Sequence, residues 1–205
     1  MEKYLERAVS FPQYIKLIDE LLAEGKTTGK NQSEAMLNYG KLNRQRMSRL
    51  GKTIELGDAV KDATKNVGRK QIWLIITEGW CGDAAQNVPV IEKIAAESDK
   101  IETLYILRDE NLDLMDQFLT KGARAIPKLI VLDADTLDVL AAWGSRPSPA
   151  QDLQNSLKSS GVEKGEISEK LQRWYNEDQG RSLQFEFVEL IRTVDDRLTA
   201  SRKAA

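Results

Sequence analysis

The sequence predicts an α/β fold extended by helices at both ends, and three observations predict it. The middle of the chain alternates short apolar runs with helix-length amphipathic segments in the order β-α-β-α-β-β-α. The flanks, 1–60 and 161–205, show helical periodicity only. Finally, 205 residues with 41% hydrophobic and 30% charged side chains suffice for a sizeable core. The expected organisation is a helical N-terminal extension (1–60), an α/β domain (61–160) and a C-terminal helical extension (161–205) packed on the same domain.

The elements follow from local chemistry. Tyr14, Leu17, Ile18, Leu21 and Leu22 recur at helical spacing after Pro12 and stop before Gly25. A second helix starts at a Ser33 cap and carries Lys41, Arg44, Arg46, Arg49 and Lys52, with no acidic residue from Ala35 to Ile54; a solvated basic face is expected. Gln71 to Thr77 is a continuous apolar run, as a buried central strand requires. A helix opens near Gly82 and Asp83, with Val88, Ile91, Ile94 and Ala95 on one face. Ile101 to Leu107 reads as a strand and Leu112 to Leu119 as a helix ended by Gly122. A strand opening on Pro127 runs to Leu132, and after the turn Asp133 to Asp138 the last strand covers Val139 to Trp143. Ser148 is the expected cap of the next helix, with Pro149 at its first helical position. Leu171, Trp174 and Tyr175, then Leu183, Phe187, Leu190, Ile191 and Val194, form a core-covering stripe.

Counts exclude much chemistry. The chain has no histidine, which removes Ser-His-Asp and Cys-His nucleophile systems, His-ligated metals and His proton shuttles. One cysteine excludes an internal disulfide, a four-thiolate zinc site and an iron–sulfur cluster held by one chain. Gly25 to Asn31 imitates a phosphate loop, but it has three residues between the glycines and Asn31 where Ser or Thr is needed. Asp133, Asp135 and Asp138 lack the Gly and terminal Glu of a calcium loop. A net charge of -2, with no aromatic residues interleaved among the basic ones, argues against nucleic acid. The apolar runs are too short to span a bilayer. No metal, cofactor, nucleic acid or membrane is therefore expected, the expected location is cytoplasmic, and oligomeric state is left open.

Cys81 has an informative neighbourhood. Thr77-Glu-Gly-Trp-Cys-Gly-Asp-Ala84 lies at a strand-to-helix junction, where backbone N–H groups and the helix dipole favour a thiolate. Glu78 and Asp83 set two carboxylates near the thiol, which oppose that effect. Pro89 follows eight residues after Cys81, Ile126-Pro127 opens the next strand, and Gly144 follows the last. In this order, over about residues 65 to 160, these features resemble the thioredoxin family. Thr27 to Met36 is similar to the N-terminal segment of a bacterial branch of it.

The resemblance implies a thioredoxin-like fold, a central mixed sheet flanked by helices, with Cys81 as the nucleophile. It implies a cis peptide before Pro127 and a groove at Trp80, Gly82, Ile126 and Pro127 in which the main chain of Ile126 pairs with an extended substrate. Departures matter too: Ala84 replaces the family's resolving cysteine, Asp83 stands where proline is common, and Ile75 replaces the buried acid. No intramolecular dithiol cycle is possible. Three readings remain: monothiol exchange at Cys81 with a protein or low-molecular-weight thiol or disulfide, a redox-inactive binding module that holds a partner with the same groove plus the basic N-terminal helix, and peroxidase chemistry. The last is the weakest, because Thr77 is four residues from Cys81 and no matching proline precedes it.

Overall fold

The computed structural model describes residues 1–204 of the chain, with side chains to residue 198. Four short or medium helices come first: α1 (Glu2–Leu5), α2 (Phe11–Ala23), α3 (Glu34–Thr53) and α4 (Asp58–Lys65). Then follow β1 (Gln71–Thr77), α5 (Gly82–Ala95), β2 (Ile101–Leu107), α6 (Leu112–Met115), β3 (Lys128–Asp133) and β4 (Val139–Gly144). The chain ends in α7 (Ser148–Ser159), α8 (Lys164–Asp178) and α9 (Arg181–Ala204).

The four strands form one mixed sheet in the order β2-β1-β3-β4. β1 pairs parallel with β2 and antiparallel with β3, and β3 pairs antiparallel with β4. A parallel neighbour requires a crossover, and α5 supplies it. β1 lies between two strands and under helices, so both its faces are covered, which explains its unbroken apolar run.

Helix α5 is buried nearly all round, from Ala84 to Ile91 and at Ile94 and Ala95. Such a helix must be covered on its outer side too, and α3 provides that cover. The first residues are likewise built in: Val9 bridges Tyr105 on the β2 edge, and Tyr14 of α2 stacks on Tyr105 at 5.1 Å. At the other end of the molecule, Phe187 of α9 meets Trp73 and Trp143 edge-on at 5.5 and 5.4 Å. One hydrophobic core therefore joins residues of α2, α3 and α4 to the sheet, α5 and α9. A smaller core holds α7 to α8 through Ala150, Ile167, Leu171 and Tyr175.

Three local expectations need correction. The helix expected over Leu112 to Leu119 stops at Met115: Gln117 and Phe118 donate to Leu114 and Met115, tightening the chain into i to i−3 turns. Ser148 does not cap its helix but is its first residue, after Pro147, and its N–H donates to Glu186 Oε1 instead. The basic face of α3 is only partly solvated. Arg44 makes a two-point ion pair with Asp19, and Arg46 is half-buried against Asn43. No helix is long and apolar enough to cross a membrane among the described residues.

Candidate active site around Cys81

The site sits where β1 ends. Thr77 closes the strand, Glu78 to Trp80 turn, and Cys81 is the residue just before α5, with extended backbone (φ −80°, ψ 116°). Its carbonyl accepts the Ala85 N–H, so the helix begins on it. Its Sγ accepts the Ala84 N–H at 3.5 Å and lies 3.3 Å from the carbonyl oxygen of Ile126, to which the thiol donates. The Ile126–Pro127 peptide is cis, and both residues are buried.

Burial decides the protonation state of Cys81. The residue is 7% exposed, and desolvation pushes its thiol up to about 12, with the negative charge of Asp83 adding to the rise. The N–H groups of Ala84 and Asp83 and the Arg146 guanidinium act in the opposite direction and are outweighed. The helix-start position expected to favour a thiolate therefore does not prevail, because a thiolate there loses more hydration than two N–H groups return.

Of the two expected modulators, Asp83 raises the pKa of the thiol. Its carboxylate takes two hydrogen bonds from Arg146 and one, at 2.9 Å, from the Tyr175 hydroxyl. Asn87 donates to Tyr175 and to the Ser145 carbonyl, tying α5, α8 and the end of β4 together around Asp83. Glu78 faces the end of β2: it is fully buried, and its Oε1 accepts the Asp109 N–H at 2.8 Å. Its other oxygen has no hydrogen-bond partner among the described residues, and burial raises its pKa above the usual carboxylate value.

The loop before the thiol is clamped from the N-terminal helices. Thr28 Oγ1 accepts the Gly79 N–H at 2.9 Å, and Asn43 Nδ2 donates to the Gly79 carbonyl at 3.3 Å. Gln32 holds the Thr27–Gly29 turn in shape, donating to the Thr27 and Gly29 carbonyls and accepting the Thr27 N–H. A Cβ on Gly29 would lie 2.5 Å from Asp109 Oδ2 and 3.2 Å from Trp80 Nε1, so this turn rests directly on the site. Trp80 is half-buried, with the Arg108 guanidinium 4.8 Å above its ring. Above Gly82, by contrast, a Cβ would meet open space.

A family model described as Thioredoxin matches residues 29–158, more than half of the chain. The chain belongs to the thioredoxin family. No curated protein matches it. Among solved structures it is similar to the crystal structure of an HIV epitope-scaffold, at 17% identity and a TM-score of 0.52, with 92% of this chain and 99% of that one covered. It also matches a protein of unknown function from Pseudomonas aeruginosa, at 15% identity and a TM-score of 0.48, covering 94% and 99%. At these identities the first likeness speaks to the fold alone.

Within this thioredoxin-family chain, the structure brings Cys81, Trp80, Gly82, Ile126, Pro127 and Asp83 to one end of the sheet. Sequence reasoning missed the roles of Thr28, Gln32 and Asn43, although the Thr27 to Met36 stretch was a visible signal. It also missed Arg108, Arg146 and Tyr175. Arg146 carries no local pattern, and Tyr175 is indistinguishable in sequence from the core stripe around it.

Proposed function

We propose that this protein performs monothiol thiol–disulfide exchange through Cys81. The observation that carries the reading is the placement of the Cys81 sulfur at the start of α5, 3.3 Å from the Ile126 carbonyl just ahead of β3. The resting group is a thiol held by that carbonyl. In the reaction its proton passes to solvent, and the thiolate attacks one sulfur of a mixed disulfide. A new S–S bond to Cys81 forms as the old one breaks, and the released thiolate takes up a proton. A second, external thiol then attacks the Cys81 disulfide and restores the thiol. With Ala84 at the position where a resolving cysteine would stand, closure of the cycle needs that second molecule. The substrate class is a protein or low-molecular-weight disulfide.

The test is turnover of a peptide carrying a mixed disulfide, with an external reductant, by wild type and Cys81→Ser. Cys81-dependent turnover that rises with pH supports exchange; equal rates for the two proteins sink it. One observation favours a second reading, a binding module that does not use the thiol: the sulfur is buried and its pKa lies far above neutrality. That reading gains if Cys81→Ser binds the peptide as well as wild type does and neither turns it over.

A further inference from the structure

Helix α3 carries a strip that the fold covers only in part. Tyr39, Leu42, Arg46 and Arg49 recur at spacings of three, four and three, so they share one helix face. Tyr39 and Leu42 are 44% and 42% exposed, which sets two large side chains next to each other on that face. Arg46 is half-buried, donates to Asn43, and has no ion-pair partner among the described residues. Among the described residues, Arg49 donates only to the neutral Asn176, at 3.4 Å. A partly desolvated guanidinium without a carboxylate beside it is an open anion site. The strip is also tied to the reaction centre, because Asn43 joins Arg46 to the carbonyl of Gly79, two residues from Cys81.

We infer that this face of α3 docks an acidic segment of the protein whose disulfide meets Cys81. The inference rests on the exchange reading for its chemistry but not for its binding surface. Charge complementarity sets the class of partner: the helix has no acidic residue from Ala35 to Ile54, and two of its arginines on this face lack a counter-ion among the described residues. Tyr39 and Leu42 add an apolar contact beside them, so the fitting segment carries Glu or Asp together with an aromatic or aliphatic residue.

Two synthetic peptides test this, each with one cysteine capped as a mixed disulfide with β-mercaptoethanol. One has glutamates beside the capped cysteine and the other has lysines at the same places; a labelled serine analogue of each reports binding without chemistry. The acidic pair is expected to react and bind roughly tenfold better, with the advantage shrinking as salt is raised. Arg46→Gln and Arg49→Gln should each cut that preference several-fold, whereas Lys41→Gln, on the same helix but off the strip, should keep it. Because Arg49 is exposed, its variant reads the surface even if Arg46→Gln folds poorly. Equal handling of the two peptides by wild type, or the same loss in Lys41→Gln, overturns the inference. If neither capped peptide reacts while the acidic serine analogue binds through Arg46 and Arg49, the docking surface stands and the exchange reading falls.

Discussion

Asp83, two residues past Cys81, is gripped by Arg146: Nε donates to Oδ1 at 2.9 Å and Nη2 contacts Oδ2, with both side chains about one-seventh exposed. The carboxylate raises the Cys81 pKa and the guanidinium lowers it. Asp83→Asn removes the anion that repels a thiolate and leaves the cation, so the pH profile of Cys81 alkylation should move to lower pH. Arg146→Gln should move it the other way. That second variant also strands a buried carboxylate, which costs about 3–5 kcal/mol and should show in denaturant midpoints.

Thr28 joins the N-terminal segment to the loop before the thiol. Thr28→Val keeps the shape but removes the acceptor for the buried Gly79 N–H, a loss of about 1–3 kcal/mol. Amide exchange at Gly79 should accelerate well beyond that of β1 amides. If Gly79 stays as protected as in wild type, the clamp is not what holds the loop.

Glu78 gives a pH signature. Burial raises its folded pKa above the ordinary value of about 4.5, so the folded state holds this proton more tightly than the unfolded one. Its contribution to stability is fully present below about pH 4.5 and is lost as pH rises through the folded value. Glu78→Gln can still accept the Asp109 N–H but cannot ionise. Urea midpoints should match wild type near pH 4 and exceed it at pH 7; a difference that does not change with pH would contradict this.

Gly144 meets the chain at Pro127. Its φ is +122°, and a Cβ there would sit 2.3 Å from the Pro127 carbonyl oxygen and 3.3 Å from Lys128 Cα. Backbone on both sides leaves nothing soft to move. Gly144→Ala should cost on the order of 3 kcal/mol or more, and loss of soluble folded protein is the expected readout.

The sheet and its crossover were legible because burial leaves a mark in composition. β1 is covered on both faces and reads as unbroken apolar sequence, and α5 follows at a junction set by Gly82 and Asp83. Cys81 was legible by its place at that junction together with Pro127 and Gly144. The sign of its pKa shift was not, since it depends on how much water the fold removes, and α3 and the Ile126 loop lie far from Cys81 in sequence. Arg46 shows the same limit: as one of five positive charges it reads as solvated, yet the packing of α3 half-buries it. Pairings such as Arg146 with Asp83 and Thr28 with Gly79 join residues 63 and 51 positions apart, and short-range patterns do not record them.

The most direct test is the fate of Cys81 when the folded protein meets a mixed disulfide, followed by intact mass at increasing pH. The expected result is a single adduct on Cys81, forming faster as pH rises towards the thiol's high pKa, absent in Cys81→Ser, and removed by an external thiol. A folded protein that takes up no adduct even at pH 10, while its unfolded form reacts at once, would show Cys81 to be an inert core residue and contradict the assignment of exchange to this site.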